Sequence, residues 1–201
     1  MVEIKVTKQS VTPLQGLNNA EARLRMLEQI GRVCYKSEDR ITFDSYKTFL
    51  KMIIKKGHET ILEHWSVTFK IITSVAIARE LMRHRLASFT QESTRYVNYK
   101  KTGYEIIENG IDNTVSTLAD FEHYERLLEL GHKPEIARDY LPLCLKTELV
   151  MSCNMRELRH ILKLRLSKAA HPQMRELMNL LFDYCKTIPV LFDDIVESLQ
   201  E

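Results

Sequence analysis

Three arginines, one histidine and two serines fall within the thirteen residues from Arg83 to Arg95. The run reads Arg83-His84-Arg85-Leu86-Ala87-Ser88-Phe89-Thr90-Gln91-Glu92-Ser93-Thr94-Arg95-Tyr96. Guanidinium forks pair bidentately with phosphate, and hydroxyls donate to the remaining oxygens, so this is the make-up of an anion site. The alternative is a solvated helix C-terminus, where the helix dipole favours arginine and histidine. A second polar stretch, Gly57-His58-Glu59-Thr60-Ile61-Leu62-Glu63-His64, gathers two histidines and two acids. A zincin site needs its histidines four apart on one helix; here they are six apart and run into a strand, so no metal is expected. A capped polar loop is the alternative. The third stretch begins at Asn154, where Arg156 and His160 are four apart and share a helix face. A helix N-terminus offers amides to an anion, against the alternative of a charged surface helix.

The elements that must position these groups follow from periodicity. Val2, Ile4 and Val6 alternate with charged residues and predict a short strand. Leu24, Leu27, Ile30 and Val33/Cys34 predict a helix over 20–35. Tyr46, Phe49, Leu50, Ile53 and Ile54 predict another, ending at Gly57. Val67, Phe69 and Ile71 alternate as a half-buried strand, and Ser74 is placed to cap the helix carrying Ile77, Ala78, Leu81 and Met82. Tyr96 to Tyr99 reads as a strand, and Ile106 to Asn113 as a turn. A helix is expected from about Thr117 to Leu130, stopped by Gly131, and another between Pro134 and Pro142. Thr147, Leu149, Met151 and Cys153 predict a strand, with Asn154 capping a helix over 155–166 whose flank is Leu158, Ile161, Leu162 and Leu164/Arg165. Pro172 and Pro189 are expected to open two final helices.

With 201 residues, 44% hydrophobic and 28% charged, the chain reads as one soluble domain over 1–201, helix-rich α+β with a small sheet. A formal charge of +2 excludes a general electrostatic sponge for nucleic acid, so any anion site is local. Four cysteines without a C-x-x-C pair argue against a zinc cage or disulfide framework and for a reducing compartment. The alternation around Cys153 and the helical stripe holding Cys34 make buried, inert thiols the expected reading. The N-terminus has no apolar leader core and no run approaches a membrane span, which points to the cytoplasm and to no membrane partner.

The three polar stretches together resemble one family. Arg83-His84-Arg85, seven residues and then Ser93 form the R-H-R-x7-S signature of flavin-dependent thymidylate synthases (ThyX), with Ser88, Arg95 and Tyr96 also in place. Gly57-His58-Glu59-Thr60 followed by Glu63-His64 is similar to the family's G-H-E-T…E-H segment. Ala137-Arg138, Leu141-Pro142-Leu143 and Asn154-x-Arg156-x-Leu158 through Leu164-Arg165 follow in family order. The resemblance spans about residue 20 to the C-terminal helices.

That resemblance implies a ThyX-like homotetramer with active sites shared between subunits, and conversion of deoxyuridine monophosphate (dUMP) to thymidylate. Carbon comes from methylenetetrahydrofolate and the hydride from FAD reduced by NADPH. By resemblance, Arg83, His84, Arg85, Thr60, Asn154, Arg156 and His160 contact FAD, His58 and Glu63 support them, and Gln91 is shared with the nucleotide. Glu80, Arg83, Gln91, Ser93, Thr94, Arg95 and Arg138 match the nucleotide pocket. Arg165 matches the arginine against the uracil, the one catalytic assignment. An arginine never deprotonates, so it can stabilise charge developing at N3 and O4 without joining proton transfer. Acid and amide at Glu80 and Gln91 are exchanged relative to some relatives. His160 stands where some have Asn, and Cys34 where some have Ser. The rival from another class is a non-catalytic nucleotide- or RNA-binding protein using the same basic cluster.

Overall fold

Strand β1 (Ile4–Thr7) pairs in parallel with β5 (Tyr104–Ile107), Ile4 opposite Tyr104 and Thr7 opposite Ile107. A second sheet has the order β2 (Ser10–Gln15), β3 (Ser66–Ser74), β6 (Lys146–Asn154), β4 (Ser88–Gln91). The helices are α1 (Ala20–Tyr35), α2 (Ser45–Lys55), α3 (Val75–Leu81), α4 (Tyr99–Thr102), α5 (Thr114–Glu129), α6 (Pro134–Ala137), α7 (Met155–Arg165), α8 (Pro172–Cys185) and α9 (Asp193–Ser198). Short 3-10 turns cover Glu38–Arg40, Glu59–His64 and Arg138–Tyr140. This computed structural model describes residues 2–110 and 114–200. The helix-rich α+β reading holds for them.

The chain forms two compact units. The first comprises Met1–Val11, Lys70–Arg83 and Phe89–Val150. Its core sets the rings of Tyr99, Tyr104, Phe121 and Tyr124 among Ile106, Ala137 and Leu145, with the Tyr104 and Phe121 rings 4.6 Å apart. Such pairs add about 0.5–1.5 kcal/mol beyond the area they bury. Ser74 caps α3 as its type predicts, its hydroxyl accepting from the Ile77 amide at 3.3 Å. Helix α5 stops where Gly131 takes a φ of +87°, with the amides of Gly131 and His132 closing on Leu128 and Leu127.

The second unit comprises Thr12–Phe69, His84–Ser88 and Met151–Glu201. Leu24, Leu27 and Gly31 of α1 bury against α2, whose inner face is Tyr46, Phe49, Leu50 and Ile53. Glu28, buried on the same helix, is satisfied by Arg32 at 2.8 Å and the Ser45 hydroxyl at 2.8 Å. Leu158, Ile161 and Leu162 turn α7 inward, against α8 and the 59–64 turn. Trp65 is fully buried and donates from Nε1 to the Gly16 carbonyl at 2.7 Å. Gly16 itself has φ +94°, and a Cβ there would lie 2.4 Å from the Ser66 carbonyl oxygen and 2.9 Å from Val67 Cα. Both obstacles are backbone and cannot swing aside. Gly16→Ala should therefore lower unfolding free energy by about 2–4 kcal/mol, seen as a reduced urea midpoint with unchanged slope.

Tyr96 to Tyr99 is not a strand: the amides of Tyr96 and Val97 both close on the Ser93 carbonyl, making a turn that leads into α4. The local bonds win because only Tyr99 is fully buried there. Ile106 and Ile107 belong to β5 rather than a turn, and of the rest of that segment 111–113 lie outside the described residues. Strand β2 has no clean alternation in the sequence because Pro13 interrupts it; at a sheet edge the missing N–H is tolerated. Pro189 does not start the last helix. A turn follows it, with Val190 at φ +73°, and α9 begins at Asp193. Cys34 and Val33 are exposed, because the core face of α1 ends at Gly31, one turn earlier. Leu164 is likewise exposed, one position off the inner face of α7.

Candidate active site

In the second unit, α7 organises the site. Asn154 ends β6 and caps the helix, its side-chain oxygen accepting from the Glu157 amide at 2.9 Å. The Met155 amide donates to the Trp65 carbonyl at 2.8 Å, tying the helix start to the segment after the 59–64 turn. Arg156 is exposed and donates to Glu63 at 2.5 Å. One turn on, Arg159 is buried and donates to Asp194 through both terminal nitrogens at 2.9 Å, to Glu59 at 3.2 Å and to the Leu191 carbonyl. Burial would raise Asp194, but hydrogen bonds from Arg159 and Lys163 win and hold it down to about 2. Arg159 thus fixes the helix carrying the site. Its sequence signal was a cation beside Leu158 on the inward face, which reading the stretch as surface charge passed over.

His84 sits in the loop after α3 and is only 6% exposed. Arg165, at the end of α7, donates from Nε to His84 Nε2 at 3.0 Å. The His84 ring stands edge-on to the exposed ring of His160, centroids 6.0 Å apart. Its Nδ1 lies 3.5 Å from the Glu157 carboxylate. Burial, then the Arg165 cation and His160, press the His84 imidazole down to about 4, so it is neutral at pH 7. Of the other expected flavin contacts in this unit, Arg85 and Thr60 are exposed, and His58 is exposed with Nδ1 2.9 Å from the Tyr35 hydroxyl.

The first unit holds the residues matched to the nucleotide pocket. Thr94 and Arg138 line one cavity of about 540 Å³, together with Val75, Arg79, Asp139, Leu141, Pro142, Leu143 and Leu145. That volume lies within the roughly 300–1,000 Å³ of small-molecule sites. Arg79 was not singled out from the sequence; its position on α3, four residues before Arg83, was the available signal. Gln91 is half-buried and donates to the Thr147 hydroxyl at 3.1 Å. Glu80 is half-buried on α3 and Arg83 is exposed just past its end, the Arg83 amide reaching the Glu80 carbonyl at 3.3 Å. Ser93 and Arg95 do not share a face of an extended strand. They lie in the turn described above, where the Arg95 amide donates to Ser93 Oγ at 3.3 Å and the exposed guanidinium meets Glu135 at 2.9 Å.

The chain matches the family described as "Thymidylate synthase complementing protein" over residues 17–189. It is 31% identical over 180 residues to the flavin-dependent thymidylate synthase of Geobacter sulfurreducens, covering 81% of this chain and 78% of that protein. It is 30% identical to the flavin-dependent thymidylate synthase of Pyrococcus furiosus, covering 88% of this chain and 75% of that one. Among solved structures, the fold is similar to thymidylate synthase X from Helicobacter pylori with FAD and dUMP. The TM-score is 0.81 at 25% identity, over 92% of this chain and 98% of that one.

Proposed function

The chain belongs to the family of flavin-dependent thymidylate synthases, and from that premise we propose that it methylates dUMP using methylenetetrahydrofolate, FAD and NADPH. The observation that carries the reading is Arg165 held on the neutral imidazole of His84, inside the R-H-R-x7-S signature. The donor chemistry around α7 fits FAD: exposed guanidiniums at Arg85 and Arg156 suit a pyrophosphate, and Asn154, His160, His58 and Thr60 add amide, imidazole and hydroxyl groups. Glu63 braces Arg156. Arg83 and Gln91 serve both ligands. Reduced flavin, when bound, supplies the hydride.

The chain's own residues do the rest. Arg138, Arg95, Ser93 and Thr94 bind the nucleotide phosphate, and Glu80 and Gln91 orient the nucleoside. Uracil C5 is a weak nucleophile towards the methylene carbon. Arg165 stabilises negative charge at N3 and O4 while remaining protonated. No thiol is needed at C6. Burial pushes Cys153 and Cys185 up to about 12 and raises Cys144, so none of these three is a thiolate at neutral pH. Cys34 is exposed but is given no part in the chemistry.

We further propose that residues 1–201 act as one catalytic domain in a homotetramer with shared active sites. Membership of the family supports this reading. A cytoplasmic location is in keeping with four free cysteines and with no helix among the described residues being long and apolar enough to cross a membrane.

The test is an absorbance spectrum of the purified protein followed by an assay for thymidylate with all three cosubstrates. Flavin bands and FAD-dependent product are expected. A colourless protein that takes up no FAD on titration would overturn the reading.

A further inference from the structure

Glu157 is 5% exposed on the inner face of α7, two turns before Arg165. Nothing in the signature assigns it a role, yet His84 lies between the two: Nδ1 is 3.5 Å from Glu157 Oε1 and Nε2 is 3.0 Å from Arg165 Nε. Arginine has donors and no acceptor, so Nε2 must accept. A neutral imidazole that accepts at Nε2 carries its proton on Nδ1, the nitrogen facing the carboxylate. Were the proton on Nε2 instead, two N–H groups would point at each other in a buried place, and Nδ1 would turn a lone pair towards the carboxylate.

We propose that Glu157 is a positioning residue, which holds His84 in its Nδ1–H form and thereby fixes the guanidinium of Arg165 for its work on the uracil. The proposal rests on the thymidylate synthase reading for the last step only; the hold on His84 stands on geometry alone. Burial that pushes the Glu157 carboxyl up does not remove the contact, since a protonated carboxyl still offers an acceptor oxygen. Carboxylates that orient a metal-bound histidine are typically worth about 10–100-fold in activity, and a loss of the same order is expected here.

The experiment combines nitrogen-15 spectra of the histidine rings in the full chain with steady-state kinetics of Glu157→Leu, Glu157→Gln and Glu157→Asp. The His84 signals are identified by their disappearance in His84→Gln. In the parent protein His84 should be the Nδ1–H tautomer. Glu157→Leu should shift it towards Nε2–H and cut kcat by about 30-fold, with KM for dUMP and flavin content within about threefold. Glu157→Gln, whose amide oxygen still accepts, should keep the tautomer and stay within about threefold of the parent kcat. If the leucine variant does not fold, Glu157→Asp, which retains charge but loses reach, should give a tautomer mixture and an intermediate kcat. An Nε2–H or doubly protonated His84 in the parent would overturn the proposal. So would an unchanged tautomer in both Leu and Asp variants, or equal losses for Gln and Leu that track melting temperature. An Nδ1–H His84 in a protein that makes no thymidylate would sink the functional reading while leaving the hold of Glu157 on His84 in place.

Discussion

Replacing Arg165 by alanine should lower thymidylate formation by about a hundredfold or more while flavin content stays near that of the parent. The guanidinium is half-buried at the end of α7 and donates from Nε to the neutral ring of His84. A cation that never deprotonates suits an electron-rich uracil. Removing it takes away a preorganised cation in a place where water replaces it poorly. The flavin contacts are assigned to other residues, so the loss should appear in turnover. Arg165→Lys should restore little, because a point charge cannot reproduce the Nε–H that His84 accepts while presenting a planar fork elsewhere. Serine replacements of Cys34, Cys144, Cys153 and Cys185 should leave turnover largely intact, apart from stability losses at the buried Cys153 and Cys185. The decisive assay is product formation by folded, flavin-bound variants. An inactive cysteine variant beside an active Arg165→Ala would reverse the assignment in favour of a covalent mechanism.

Arg138→Ala should weaken dUMP binding by about 30–100-fold, the range expected when a charged hydrogen-bond donor to phosphate is lost. Arg138 and Thr94 line the same cavity, and a phosphate there would be bound by a guanidinium and a hydroxyl together. Deoxyuridine lacks the phosphate and should bind the variant and the parent almost equally. Calorimetric titration of both compounds separates the outcomes. Equal loss for nucleotide and nucleoside would take Arg138 out of the phosphate site and leave that contact to Ser93, Thr94 and Arg95, the last once its Glu135 partner is displaced.

The long helices and the two central strands were legible because each carries a single period. Leu24 and Leu27 mark α1, Val67, Phe69 and Ile71 mark β3, and Thr147, Leu149, Met151 and Cys153 mark β6; each of these residues is buried as its spacing requires. Caps at Ser74 and Asn154 were legible for the same local reason, since a short polar side chain before an apolar run has one good use. The short elements were not. Strand β2 carries a proline and one fully buried residue, and the turn at Ser93 to Tyr99 is decided by two amides competing for one carbonyl.

For the site, the sequence alone determined which residue types stand in which order, and through them the family and its chemistry. It could not say that His84 is buried and neutral, that Arg165 rests on it, or that Glu157 stands behind it. It also could not say that Arg159 is a buried brace instead of surface charge. Those facts depend on residues far apart in the chain, His84 being 73 positions from Glu157 and 81 from Arg165. Local periodicity reaches only a few residues. Protonation state and side-chain orientation follow from burial and neighbouring charge, which exist only once α7 has packed against the loop that carries His84.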